Sequence, residues 1–506
     1  MYRVLSRARR LRQDEDGIVL IFVTLMMPVI IGLSLLAFDA TRVYILHSSL
    51  QKGADAIAVA MAAELDRGTD AITRAQRARD TLLSNPAVFT SSYGAVNASS
   101  VTLRYLRSLP ATDDVAIASA DVTTDPTLAR FVEVTVSPAK YDTIFPASFI
   151  NALSSVSARA SAIAGLEAGA CAVTPMFICN PLEPAGNTDP FRITELRAHL
   201  ETVASRRRLF ELVRGPTSSS ARFVPGNFGY LQTPLGRGAR SLGDAISQVN
   251  PGVCIALNNL ATSPGTTTVA AAAFNTRFDM YSGTFSRSDS EIRPALNTRK
   301  TWTPATSGNN RDCRPVEVTN LYTRTPPYST SSPPASMGFP RDRCQVLSTC
   351  GSATSGRVGG GDWNGMFDLY MATNFPGSSR RPSGGASPPW SSTNLPSRFE
   401  VYRAEISEGL VNTRSMSSPA CYNGSVSPSN SPDRRSLYVA ITNCVAQPIV
   451  GSGSTRVTAA AIGQFFLTEP VGASGSLFGE LTAIRAPGVG GGSDGVLVVD
   501  NVQLYR

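Results

Sequence analysis

From Ile18 to Phe38 the chain runs 21 residues without a charge, IVLIFVTLMMPVIIGLSLLAF. As a helix rising about 1.5 Å per residue, that run is about 31 Å long, the thickness of a bilayer's hydrocarbon core. The pattern does not stop there. Val43, Leu46, Leu50, Ala54, Ile57 and Met61 recur at three- and four-residue steps, the period of one helical face. Ala54, Ala56, Ala58, Ala60, Ala62 and Ala63 crowd the same stretch, and alanine is the best helix former and small enough for close packing. One helix of about 50 residues is therefore expected, kinked at Pro28, with its stripe packed against the domain that follows. Gly68 is the expected carboxyl cap. Thr69 or Asp70 should cap a second helix that stops near Ser84-Asn85-Pro86.

The period then changes to two. Alternating apolar positions at 101–105, 115–117, 132–136 and 156–162 predict strands, with a short helix over about 145–153. From Cys171 on, short apolar segments at 175–179, 437–444, 464–467 and 496–505 are strand candidates. They stand between Ser/Pro/Gly-rich loops at 325–340, 374–396, 416–432 and 487–495. The predicted fold class is α+β: a long amino-terminal transmembrane helix, a small α+β module and a larger cysteine-rich mixed domain with long loops. The expected segments are a basic tail 1–17, a membrane helix 18–38, its continuation and a second helix 39–86, the module 87–170, and the cysteine-rich domain 171–506.

Composition narrows the function. At roughly 150 residues per domain, 506 residues suggest about three folded units. A hydrophobic share of 42% with 17% charged residues describes neither a disordered chain nor a polytopic membrane protein. The net charge of +8 is spread along the chain with no dense basic block beyond the first dozen residues, so nucleic acid is not an expected partner. Only His47 and His199 are present, which nearly closes off His-rich metal sites and Ser–His or Cys–His nucleophiles. None of the three lysines follows a Gly-x-x-x-x-Gly, so there is no P-loop. Gly491-Gly492-Ser493-Asp494-Gly495 matches Gly-x-Ser-x-Gly formally, but no histidine follows it. A non-enzymatic protein without metal or cofactor is expected.

Charge also sets topology. Arg3, Arg7, Arg9, Arg10 and Arg12 precede the apolar run, and Asp39 with Arg42 follow it. That asymmetry keeps the amino terminus in the cytoplasm and sends the bulk of the chain across a single membrane pass. A cleaved secretory signal is the competing reading. Its apolar core should be shorter and end at small residues, whereas here Phe38-Asp39-Ala40 closes the run. All eight cysteines lie in the exported part: Cys171, Cys179, Cys254, Cys313, Cys344, Cys350, Cys421 and Cys444. Their even number in an oxidising compartment predicts up to four disulfides, and no spacing suits zinc. Short closures favour Cys171–Cys179, Cys344–Cys350 and Cys421–Cys444, leaving Cys254–Cys313 by elimination.

The stretch from Asp14 to Leu65 resembles the amino-terminal segment of the TadE/TadG-like proteins of the Flp (tight-adherence) pilus assembly system. The matching features are Gly17 before the apolar run, Pro28 within it, Asp39 at its outer boundary, and Leu50-Gln51-x-x-Ala54-Asp55-Ala56 opening the alanine-rich stretch. The resemblance implies a pilin-like layout for the small module. Processed subunits of that system carry a glutamate five residues after the cleavage glycine, where this chain has Phe22. A phenylalanine removes the buried charge partner a filament core would use, so the resemblance is to the anchored TadG-type branch, and the chain is expected to keep its amino terminus. Looser matches are Phe223-Val-Pro-Gly-Asn-Phe-Gly229, Arg277-Phe-Asp-Met-Tyr281, Arg398-Phe-Glu-Val-Tyr-Arg403, Asp433-Arg434-Arg435 and Phe466-Leu-Thr-Glu-Pro470. Many TadG proteins carry a von Willebrand factor A-like domain with a metal site. Its Asp-x-Ser-x-Ser signature is absent, and a metal-free scaffold begun by 175–179 stays open.

Two further clusters have a functional and a plain reading. Asp362, Asn364 and Asp368 after Gly359-Gly360-Gly361 could bind calcium or form a solvated turn, and the spacing misses the twelve-residue calcium loop. Arg434-Arg435 could grip a partner's carboxylates or form an internal ion pair beside a strand. The leading expectation is a structural component of an Flp pilus machine in the inner membrane, with a periplasmic domain that docks or steers pilus components. Its partners would be the inner membrane, other pilus-assembly proteins and a second copy through the amino-terminal helix. The alternative is a free-standing envelope-anchored adhesin or ligand-binding module.

Overall fold

A computed structural model describes the chain apart from residues 1–15, 85–99, 145–154, 214–228, 304–315 and 486–496. Shorter stretches at 67, 111, 113–114, 234–237, 249–253, 258, 264–267, 301, 318–320, 351, 354–355, 378–379, 412–415, 428–432, 450–453, 473–474 and 506 are also outside it. Two compact units form: Met1–Leu166 with Asn501–Arg506, and Glu167–Asp500. The division falls inside the strand Ser155–Cys171.

In the first unit, α1 (Asp16–Ala62) is a single helix of 47 residues, about 70 Å long, and it continues through Pro28. Its stripe packs as the periodicity requires. Leu46, Leu50, Ala54, Ile57, Ala58 and Met61 are buried against an antiparallel sheet of β1 (Val101–Leu106), β2 (Phe131–Asp142) and β3 (Ser155–Cys171). The sheet answers with Val132, Val134, Val136, Ala158, Ala160, Ala162 and Ala164. Small residues on both surfaces let the helix lie close to the strands. Strand Leu497–Leu504 lies beside β3, and the Tyr505 N–H donates to Ile163 O at 2.8 Å.

Three local expectations in this unit change. Helix α1 ends at Ala62, before Gly68, because Leu65 turns into the core and Arg74 ion-pairs back to Glu64 and Asp66. Asp70 precedes α2 (Ala71–Leu83), yet its carboxylate meets Arg74 rather than the helix's own N–H groups. The strand expected at 115–117 does not form: Val115 is exposed, and three alternating residues offer too little apolar surface to hold a strand on the sheet. The helix expected over 145–153 lies outside the described residues.

The second unit is built on a five-stranded sheet. Its strands are β4 (Phe177–Cys179), β5 (Leu209–Val213), β6 (Ser436–Thr442), β7 (Ala461–Leu467) and β8 (Leu477–Arg485), in the spatial order β4-β6-β7-β8-β5. β4 is an edge strand and pairs parallel to β6, with Ala440 opposite Phe177; the other three pairings are antiparallel. Both faces are covered. Leu437, Val439, Ile441, Phe465 and Leu467 point to one core with Phe274 and Phe278, and Tyr438, Ala440 and Ile462 point to another. A third cluster gathers Phe466 with Phe339 and Trp363, with Tyr370 of α3 (Phe367–Asn374) and with Tyr402 of α4 (Arg398–Ser407). Burial on both faces explains why the sheet segments read as continuous apolar runs rather than as alternation.

The sheet also corrects the disulfides. Cys171 bonds Cys254, Cys179 bonds Cys444, and Cys344 bonds Cys350. Of the proximity-based pairs only Cys344–Cys350 forms. Cys171 and Cys254 are register partners in an antiparallel pairing of β3 with Cys254–Ala256. Cys179 sits opposite Thr442 in the parallel β4–β6 pairing, two residues from Cys444. Non-local strand pairing, not loop closure, decides both bridges, so Cys171–Cys179, Cys421–Cys444 and Cys254–Cys313 are replaced. Cys421 is buried, and Cys313 lies outside the described residues.

Candidate functional site

Two features hold the chemistry that the sequence singled out. The first is the amino-terminal half of α1. Large apolar side chains there are exposed all round the helix, among them Leu20, Leu25, Ile30, Leu33 and Phe38. Water would charge roughly 1–2 kcal/mol or more for each such side chain left uncovered, so the helix is suited to an apolar surrounding. It is long and apolar enough to cross a membrane, and it is the one such helix among the described residues. Its few polar groups are satisfied within the helix: Thr24 Oγ1 donates to Leu20 O at 2.6 Å and Ser34 Oγ to Ile30 O at 2.7 Å. Gly17 stands in its first turn and Pro28 within the apolar run. Asp39, at the end of that run, is buried, and its Oδ1 accepts the Ile144 N–H at 3.0 Å. The sequence marked Asp39 but could not name this partner, which is 105 residues away.

The second feature is a buried charge network in the second unit. Arg398, on the first turn of α4, has no exposed side-chain surface. Its Nη2 donates to Asp342 Oδ1 at 2.7 Å and its Nη1 to Glu480 Oε1 at 2.9 Å. Its Nε donates to Pro340 O at 2.8 Å, and the guanidinium lies 4.9 Å from the Trp363 ring centre. Glu480 also accepts the N–H groups of Arg398 and Phe399, both at 3.0 Å, where the helix end favours an anion. Asp342 accepts the N–H groups of Leu209, Gly361 and Trp363. Burial pushes Asp342 up, but Arg398 and the N–H donors outweigh it and leave the carboxyl below its ordinary range. Further along α4, Glu405 ion-pairs with Arg299 and accepts its Nε–H at 3.1 Å, Asn297 Nδ2–H at 2.6 Å and the Tyr370 hydroxyl.

Four of the five looser motifs converge here. Arg435 lies over Phe278, Phe339, Tyr402 and Phe466, and the Tyr402 hydroxyl donates to Asp433 at 2.9 Å. Arg277 Nη1 donates to Arg434 O at 2.7 Å. Both readings of Arg434-Arg435 change, because among the described residues their guanidinium partners are carbonyls, not carboxylates. Arg434 reaches Arg293, Gln248 and Ser247, and Arg435 reaches Leu467 and Thr468. Burial lowers Arg434 to about 9 and Arg435 to about 10. The fifth motif lies outside the described residues except Gly229, whose carbonyl accepts the Phe177 N–H at 2.8 Å.

The glycine run before Asp362 has a structural use. A Cβ on Gly359 would lie 2.0 Å from Asp342 Oδ2, and Gly361 has φ +74°. The run lets the backbone close on the Asp342 carboxylate, while Asp362 accepts the Arg343 and Asn364 N–H groups as a turn. Among the described residues no group of three or more His, Cys, Asp or Glu is placed to hold a metal ion. Sequence reasoning missed Asp342, Glu405 and Glu480, because single carboxylates in a loop, a helix and a strand carry no spacing signal.

His199, on the helix Thr194–Glu201, is buried edge-on against Phe210 with ring centres 5.0 Å apart. Burial, helped by the charge of Arg208, lowers its pKa to about 4. The unfolded chain therefore takes up this proton first as pH falls. The associated stability is complete above the unfolded value near 6.5 and declines from there to about pH 4, by on the order of 3 kcal/mol. Urea unfolding at pH 7, 5.5 and 4 should show that decline in the parent and a flatter profile in His199→Gln. Equal slopes would remove the assignment.

Comparison with protein-family models, with curated proteins and with solved structures finds no match to this chain.

Proposed function

We propose that this protein is a membrane-anchored, non-enzymatic structural component of a pilus-assembly machine of the Flp (tight-adherence) type. One observation carries the reading: α1 is a single helix, apolar and exposed up to Phe38 and then buried against a sheet from Leu46 onward. A membrane anchor that is rigidly part of a folded domain suits a mechanical role, because force on the domain passes to the membrane without a flexible joint. A long helix laid over an antiparallel sheet supports the pilin-like comparison, and Phe22 supports an anchored rather than a polymerising subunit. The arginine-rich tail supports a cytoplasmic amino terminus and an inner-membrane location, and the three bridges suit an oxidising periplasm. The buried Arg299, Arg398, Glu405, Glu480, Arg434 and Arg435 of the second unit are engaged with one another or with backbone, which supports a rigid docking body over a reactive site.

Deleting the gene and counting surface pili by electron microscopy tests the reading. Loss of piliation restored by the full-length chain is expected. Unchanged piliation and attachment would reject it, and normal piliation with lost attachment would favour the free-standing adhesin instead.

A further inference from the structure

The stripe that packs α1 onto the sheet begins with a polar residue. Asp39 lies seven residues before Leu46, two helical turns below it on the same face, and it meets the segment just past β2 through a hydrogen bond to backbone. That bond holds Ile144, two residues past the end of β2, at the level where the charge-free run of α1 stops. Ile144 is nevertheless 48% exposed. A lone exposed isoleucine needs no explanation. Here, however, Phe38 at 65%, Tyr44 at 75% and Ile45 at 50% are exposed close by along the same helix. At about 1.5 Å per residue, Tyr44 and Ile45 stand about 8 and 9 Å above Asp39, near the top of a headgroup layer. Tyrosine is the side chain that such a layer favours, with an apolar ring and a polar tip.

We infer that the first unit is seated directly on the lipid surface. Ile144, Tyr44 and Ile45 enter the headgroup region of the leaflet from which α1 emerges, and Asp39 is the positioning residue that holds Ile144 there. The occupant is lipid because Tyr44 and Ile45 stand within two helical turns of Phe38, the exposed end of the apolar membrane helix, and Ile144 is bonded to Asp39 next to it. The inference rests on the membrane-anchor reading and adds a fixed height for the folded domain above the bilayer. It follows that the unit cannot swing away from the membrane as a tethered domain would.

The test uses the full-length chain in phospholipid vesicles carrying brominated acyl chains, which quench tryptophan on contact. Emission is taken as the difference from the parent, which has three tryptophans of its own. Leu25→Trp should be quenched most by lipids brominated deep in the chain. Ile144→Trp should lose about half its added emission to lipids brominated near the headgroup, as expected of an interfacial side chain. Thr127→Trp, before the far end of β2, should be unaffected. Asp39→Leu in the Ile144→Trp background should weaken the shallow quenching, and Asp39→Asn, whose amide oxygen still accepts the N–H, should preserve it. Quenching at position 25 but not at 144 would overturn this inference and leave the anchor standing. No quenching at position 25 would overturn the anchor itself. Shallow quenching unchanged by Asp39→Leu would overturn the positioning role of Asp39.

Discussion

Arg398→Met should destabilise the second unit by about 3–5 kcal/mol, a large part of the stability of an ordinary domain. The guanidinium sits between Asp342 and Glu480, and all three side chains are fully buried. Methionine fills a similar volume and leaves two carboxylates out of water with only backbone N–H donors. Breaking a buried pair costs far more than the pair contributes against a well-packed apolar replacement, because a lone charge is stranded. Arg398→Lys should fall between, since one ammonium cannot serve Asp342, Glu480, Pro340 O and Arg207 O together. Urea unfolding followed by the near-ultraviolet circular dichroism of tryptophan is the measurement, because Trp363 lies under the guanidinium. A methionine variant within about 0.5 kcal/mol of the parent, inside the spread of ordinary surface changes, would show that the network does not hold this core.

Legibility in the sequence followed the length over which a pattern repeats. α1 carries its period through an unbroken run, so its extent and its buried face could both be read from spacing. Of the five strands in the second unit's main sheet, β4, β6 and β7 were found as apolar segments, while β5 and β8, each interrupted by a glutamate, were not. Nor was the order, since β4 and β6 are joined in space across more than 250 residues. The short helices were missed for a different reason. Phe367–Asn374 buries five of its eight residues and Arg398–Ser407 packs on several sides, so neither shows a single apolar stripe. Arg398, Arg434 and Arg435 are charges where a pattern reader expects surface. Only the geometry reveals that Arg398 is held by carboxylates, carbonyls and a ring, Arg434 by carbonyls, and Arg435 by carbonyls among aromatic rings.

Removing the Cys179–Cys444 bridge should be the most costly of the disulfide deletions. In the chain-entropy account, a link between residues 265 apart restrains the unfolded chain by about 5–6 kcal/mol. The same account gives about 4–5 for Cys171–Cys254, 83 apart, and about 2 for Cys344–Cys350, 6 apart. The longest link also clamps the sole parallel pairing of the five-stranded sheet, where β4 has just three residues to hold it. Paired alanine variants of each bridge, compared by urea unfolding, should therefore rank in that order, and a Cys344/Cys350 variant weaker than the Cys179/Cys444 variant would reject the ranking. Non-reducing peptide mapping gives an independent reading. It should recover the three bridges of the structure and, because the cysteines number eight, join Cys313 to Cys421 as the fourth. A Cys171–Cys179 link in that map would break the β4–β6 pairing itself, since Cys179 cannot reach back to Cys171 and remain opposite Thr442 beside Cys444.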